Sequence, residues 1–328
     1  ATIYNTSFGF PLDRDLTLYN QFEFNAQNLT VASIDYSYVY NNMNFFGEAS
    51  RSDNGGMAFL QGLYYTLSKN VSLGLNYRNF QKEYQSIYAS AFGESSKVNN
   101  EHGFYSGIDI RINPKWTFNG YADLFSFPWM KYQIDAPSHG NDMLAQLTHR
   151  FSRNTQFSFR YRKKMKYANT SNNEFIRSIE NTEKSNYRIH ASYKISPSIS
   201  FNSRIEMLTY LKENNMQTGY LIYQDIILKP NQIPLSITCR YALFDTQSYD
   251  ERLYAHEHDV LYAYSIPAYY YKGSRAYILL KYSINKYIDI WFRYAQTFYA
   301  NKQTIGSGLD EIQGNLKSEI KTQIRIRF

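Results

Sequence analysis

The feature that most constrains this chain is an alternation of side-chain character, cleanest in residues 317–328. Ser318, Ile320, Thr322, Ile324, Ile326 and Phe328 take turns with Glu319, Lys321, Gln323, Arg325 and Arg327. Neighbouring side chains of a strand point to opposite faces, so one face here is apolar and the other nearly all charged. Tyr187, Ile189, Ala191, Tyr193 and Ile195 oppose Arg188, His190, Ser192 and Lys194 in the same way. So do Leu235, Ile237, Cys239, Tyr241 and Leu243 against Ser236, Thr238 and Arg240. A transmembrane β-barrel needs this pattern, with apolar residues toward lipid, polar ones toward the lumen and aromatics at the interfaces. A soluble all-β sandwich is the rival, since alternation alone also fits it. Phe328, closing the last strand, is expected to act as a barrel C-terminal signal.

Composition supports the barrel. There are 33 Tyr in 328 residues, and an apolar ring with a polar tip suits a water–hydrocarbon boundary. The mean hydropathy of −0.53 resembles that of a soluble protein. Barrel strands dilute their apolar face with lumen residues, so the average misleads. No window approaches the roughly twenty apolar residues of a spanning helix, which excludes a helical membrane protein. The lone Cys239 rules out an intramolecular disulfide and a cysteine zinc cluster; it reads as a packed or lipid-facing thiol. The chain opens on strand-like Ala1-Thr2-Ile3-Tyr4 with no leader, so a mature or truncated exported chain is expected.

Turn signals divide the chain regularly. A first strand is expected over residues 2–10. Tight turns are expected at Asn41-Asn42, Ser68-Lys69-Asn70, Asn113-Pro114-Lys115, Ser152-Arg153-Asn154, Ser196-Pro197-Ser198, Lys229-Pro230-Asn231 and Asn285-Lys286. Longer polar links fall near 81–102, 128–141, 167–185, 212–217, 246–258 and 302–315. Short and long connections alternate, as periplasmic turns and extracellular loops do in bacterial barrels. The count is sixteen strands, or eighteen if 252–271 adds a hairpin to the wall. Residues 1–328 read as a single all-β domain, an antiparallel transmembrane barrel.

The net charge is +7, and its placement matters more than its sign. Arg160, Arg162, Lys164 and Lys166 share the face opposite Phe157, Phe159, Tyr161 and Met165. With Arg78, Arg111, Arg188, Lys194, Arg204, Arg240, Lys281, Arg293, Lys321, Arg325 and Arg327 they make the expected inner wall basic. Asp35, Asp109, Asp123, Glu206, Asp289 and Glu319 partly balance it. These cations either create an anion-favouring lumen or belong to a charge network that fills the interior. His256 and His258 share a face, but no third metal ligand is predictable. There is no Gly-x-Ser-x-Gly elbow, no triad spacing and no phosphate-cradling glycine loop. Neither catalysis nor a cofactor is therefore expected.

Several motifs form an ordered series. They are Phe46-Gly47-Glu48; Tyr77-Arg78 with Tyr84 and Ala91-Phe92; Asn100-Glu101; and Asp123, Phe127-Pro128-Trp129, Lys131-Tyr132 and Asp135-Ala136-Pro137-Ser138. Tyr254, Glu257, Asp259-Val260-Leu261-Tyr262, Ile266-Pro267, Lys272-Gly273, Ile305-Gly306 and Leu309-Asp310-Glu311-Ile312 follow. The series resembles the C-terminal barrel part of the helix-hairpin-helix-domain outer-membrane proteins of Bacteroidota. The resemblance implies a signal peptide, a periplasmic helix-hairpin-helix region and earlier barrel strands in full members, none of them in these residues.

The expected function is an outer-membrane pore or transport component for polar or anionic solutes, in contact with outer-membrane lipid. One alternative is a plugged scaffold barrel serving envelope protein partners. Another is DNA uptake, with nucleic acid bound only through the helix-hairpin-helix module absent from this chain.

Overall fold

The computed structural model describes residues 1–171 and 175–328. Its first strands are β1 (Thr2–Ser7), β2 (Asn28–Tyr40), β3 (Met43–Ser52), β4 (Met57–Ser68) and β5 (Val71–Phe80). Next come β6 (Glu101–Asn113), β7 (Trp116–Phe127), β8 (Ser138–Arg150), β9 (Thr155–Asn169) and β10 (Ile179–Ser196). The chain continues through β11 (Ile199–Lys212), β12 (Asn215–Leu228), β13 (Leu235–Asp245), β14 (Leu253–Tyr254) and β15 (Ala268–Tyr269). The last are β16 (Lys272–Ser283), β17 (Ile288–Tyr299), β18 (Thr304–Ile305), β19 (Ile312–Gln313) and β20 (Leu316–Ile326).

Among the described residues, sixteen strands form one up-and-down antiparallel sheet in sequence order, with β13 paired to β16 and β17 to β20. The remaining four make two small hairpins, β14–β15 and β18–β19, outside that sheet. Residues 252–271 therefore do not widen the wall to eighteen strands. Among the described residues β1 pairs only with β2, and β20 only with β17. No helix there is long and apolar enough to cross a membrane, and the fold class is all-β.

The two faces of the wall are chemically opposite. Ile189, Ile205, Ile222, Tyr241, Leu243, Ile320, Ile324 and Ile326 are exposed on the outside. Arg78, Asp123, Glu206, Asp225, Arg240 and Arg293 are buried on the inside. The alternation of residues 317–328 thus resolves as expected, with the isoleucines outward and Arg325 inward. Cys239 lies half-buried on the apolar face.

Some boundaries differ from the sequence reading. β1 stops at Ser7 rather than residue 10, because residues 8–27 leave the wall as a loop. The 212–217 link shrinks to Glu213-Asn214, whose φ values of 49° and 60° give the left-handed pair that a tight hairpin twist requires. β9 and β10 likewise consume most of the 167–185 link, whose residues 172–174 lie outside the described set. Register shifts occur at Thr66/Ser68, Arg111/Asn113 and Lys194/Ser196, each beside a short turn, where a bulge can steepen the local twist.

Two long connections fold against the inner wall. In residues 246–271, Leu253 and Tyr269 are each 1% exposed and pack with Leu208, Tyr210, Leu221, Tyr223 and Phe244. Each such fully buried apolar side chain contributes about 1.5–3 kcal/mol. Thr246 closes the neck of this loop: its amide donates to the Tyr271 carbonyl at 2.7 Å, and its hydroxyl accepts from the Tyr271 amide at 2.6 Å. In residues 81–100, Tyr84 is buried with Phe24, Leu29, Val31, Ala58 and Phe80.

Candidate functional site

The interior is a set of guanidinium–carboxylate knots, most of their carboxylates on wall strands, with Glu94, Glu257 and Asp259 supplied by the two inward loops. On the N-terminal side Arg78, wholly buried, donates from Nε to Glu101 at 2.6 Å. It also grips both oxygens of Asp123, at 2.8 and 3.1 Å. Glu101 has capacity left, since an ionised carboxylate offers about four acceptor sites. It takes the amides of Glu94 at 2.7 Å and Ser95 at 2.9 Å, which anchors the 81–100 loop to the wall.

Glu94 then reaches strand β9, accepting from Lys164 at 2.7 Å and pairing with Lys166. Burial pushes its carboxyl up, but Lys166 and Lys164 together outweigh that and hold it below its ordinary value. Lys131 lies beside this knot, donating to Ser95 Oγ at 2.7 Å with its ammonium 3.4 Å from the Phe127 ring centre. Burial, then repulsion from Lys166, draws Lys131 down to about 8. Asp142 completes the group, taking Arg162 Nε at 2.8 Å and lying 3.2 Å from Lys164.

On the C-terminal side the 246–271 loop inserts Glu257, which has no exposed surface. It accepts from Arg275 Nε and NH2 at 2.8 and 3.0 Å, from the Tyr269 hydroxyl at 2.8 Å, and from Arg293. Burial and the Glu257 carboxylate push the Tyr269 phenol up. Asp259 accepts from Lys321 at 2.5 Å. Arg240 forks onto Asp225 at 2.5 and 2.7 Å, donates to the His256 carbonyl at 2.8 Å, and stacks 3.7 Å over Tyr223. His256 and His258 meet edge to face, with ring centres 5.9 Å apart. Among the described residues no three potential ligands gather for a metal ion.

Thirteen of the fifteen cations expected on the inner wall therefore fall into different settings. Arg78, Arg240 and Arg293 are on the inner wall but sealed beneath loops. Arg162, Lys164, Arg188 and Lys321 are each paired to a carboxylate. Arg325 and Arg327 share Asp289 near the short-turn end. Arg111 and Lys194 stand exposed at that same rim. Among the described residues, Arg160 and Arg204 have no close carboxylate of their own: Arg160 binds Gln146, and Arg204 lies 3.7 Å from a Glu206 already held by Arg188. Phe328 is fully exposed beyond β20.

Sequence reading missed the roles of Glu94, Asp142 and Asp225, which bind these cations. Only Glu94 comes from a loop. Asp142 and Asp225 sit at inward positions directly opposite Lys164 and Arg240 in the strand register. That cross-strand pairing is the signal that could have found them.

An antiparallel wall of sixteen strands, apolar on one face and ionic on the other, with loops folded against the ionic face, defines the class of outer-membrane β-barrels, here, among the described residues, with the β1 and β20 edges not paired to each other. No family model matches the chain, and no curated protein does. Among solved structures, OmpT, an outer membrane protein of Vibrio cholerae, is similar with a TM-score of 0.45 and 10% identity, over 99% of this chain and 95% of that one. The outer membrane channel DcaP of Acinetobacter baumannii gives 0.42 and 13%, over 90% and 84%. The Pseudomonas putida toluene transporter TodX gives 0.32 and 9%, over 90% and 87%. The likeness is one of architecture.

Proposed function

We propose that this chain is an outer-membrane β-barrel that works as a pore component for polar, anionic solutes, narrowed by residues 81–100 and 246–271. The observation that carries the reading is the inversion of the wall, with isoleucines and tyrosines outside and arginines paired to carboxylates inside. Such a wall suits hydrocarbon on one side and water with ions on the other. In lipid the free edges of β1, the end of β2 and β20 have to be satisfied by each other or by further strands. Planar-bilayer recording is the test: a stepwise conductance preferring anions is expected, with the preference reduced in Arg160→Glu. A chain that inserts but never conducts overturns it.

The Glu257 knot favours a second reading, a plugged barrel that serves as a scaffold in an envelope complex. Stable co-purification with envelope proteins, together with zero conductance, distinguishes it. The helix-hairpin-helix affiliation suggested by the ordered motifs supports DNA handling only through a module outside these residues.

A further inference from the structure

Three guanidiniums cluster on the inner wall around a single carboxylate, Glu206, which, of the three, only Arg188 and Arg204 approach. Arg160 on β9 stands directly opposite Arg188 on β10, and Arg188 directly opposite Glu206 on β11. Arg204 precedes Glu206 by two residues and so lies on the same face of β11. Glu206 is 2% exposed and already engaged: Arg188 donates to it at 2.8 and 2.7 Å, and Asn186 at 2.8 Å. Arg204 approaches it only to 3.7 Å, and Arg160 has Gln146 as its acceptor. The next carboxylates on either side are occupied, Asp142 by Arg162 and Lys164, Asp225 by Arg240. Among the described residues, three positive charges against one negative leave two uncompensated.

Two orphaned atoms mark the same place. Among the described residues, Arg204 Nε and His190 Nδ1 are shut off from solvent and have no hydrogen-bond partner, and His190 stands directly opposite Arg204 in the register. Buried polar groups are almost always satisfied by protein, water or a bound ion. Like charges set directly opposite each other across an antiparallel pair repel, so the Arg160–Arg188 pairing also calls for a counter-charge. Tyr223 packs under Arg204, 5.1 Å from its guanidinium, and helps hold the fork in place.

We propose that Arg160, Arg188 and Arg204, with His190 and Gln146 beside them, bind a small dianionic oxyanion such as phosphate or a short dicarboxylate. The inference rests on the pore reading above and names the class of solute the lumen holds. Guanidinium forks match the paired oxygens of carboxylates and phosphates, and two surplus charges select a dianion over chloride.

The test is equilibrium dialysis of inorganic phosphate, and separately of succinate, against the detergent-solubilised full chain, with bilayer recording run in parallel. Saturable binding of one anion per chain is expected, stronger than for chloride. It should weaken about tenfold or more in Arg204→Gln and in Arg160→Gln, the loss of a charge-assisted hydrogen bond. Lys69→Gln, in a remote turn, should leave it unchanged. Glu206→Gln should tighten binding by removing the competing carboxylate, an opposite sign that a general folding defect cannot produce. Heat-modifiable gel migration checks that each variant is folded. Phosphate binding without conductance sinks the pore and leaves the site standing. Conductance with no dianion binding, or with binding indifferent to Arg160 and Arg204, overturns the site and leaves the pore. Preference for phosphate or for succinate decides which source of the dianion fits.

Discussion

Arg78 on β5 reaches across β6 to hold both carboxylate oxygens of Asp123 on β7, and the strand it crosses carries a glycine there. Gly103 is the register partner of Arg78, and a Cβ at that position would lie 2.3 Å from the guanidinium carbon. Gly103→Ala is therefore expected to displace Arg78 and cost about 1–3 kcal/mol of overpacking strain. Arg78→Ala should cost more, roughly 3–5 kcal/mol, because Glu101 and Asp123 are left as uncompensated buried charges. Gly74→Ala, where an added Cβ meets nothing within 4 Å, is the control. Urea titration followed by tryptophan fluorescence in detergent ranks the three. Equal midpoints for all would refute the crossing.

The Glu257 knot ties the 246–271 loop to two wall strands through Arg275 and Arg293. Glu257→Ala removes the carboxylate that Arg275 and Arg293 share and leaves Glu319, 3.2 Å from Arg275 and 3.7 Å from Arg293, as their common partner, with Asp259 3.8 Å from Arg293. A cost of about 3–5 kcal/mol is expected for breaking such a pair, concentrated on docking of the loop. Limited trypsin digestion at Arg252 should accelerate, and a conducting barrel should show larger unitary current. Unchanged digestion would mean that apolar packing of Leu253 and Tyr269 holds the loop unaided.

How much of this was legible in the sequence depends on periodicity. The wall was readable because a period of two fixes which residues face out, and Ile320, Ile324 and Arg325 take the sides their spacing assigns. The sixteen-strand wall followed from turn residues such as Asn41-Asn42. Loop paths were not legible: the residues of 246–271 carry no period, and their route inward is set by burial of Leu253 and pairing of Glu257. The same holds for which cations are satisfied. Arg160 and Arg162 look equivalent on β9, yet register places Arg162 within reach of Asp142 and Arg160 against Gln146. Several motif residues that suggested a family, among them Arg78, Glu101, Asp123, Lys131 and Glu257, turn out to be the internal knots.

Lys131 gives a pH dependence with a definite sign. Its folded value of about 8 lies below the ordinary lysine value, so the folded state binds fewer protons than the unfolded chain between the two. Stability then rises with pH through that window. Below about pH 8 the cost of a half-buried ammonium beside Lys166 is fully present. The urea midpoint of the wild type should climb from pH 8 to 10 relative to Lys131→Met, which lacks the titrating group. Parallel curves for the two proteins would show that Lys131 keeps its proton at no cost.

Ile222 tests the membrane face itself. It lies mid-strand on β12, half exposed, with Ile205 of β11 and Leu243 of β13 as its register partners on the same outer face. A lysine placed on a lipid-facing barrel surface costs about 2–4 kcal/mol at the bilayer midplane and roughly 0–1 near the interfaces. Ile222→Lys should therefore lower the fraction of heat-modifiable, folded chain recovered in thick bilayers, with a smaller loss in thin ones where the long side chain can reach water. In a water-soluble sheet the same change at an exposed position would be close to neutral. A variant that assembles as well as wild type at every bilayer thickness would therefore mean that this face never meets hydrocarbon.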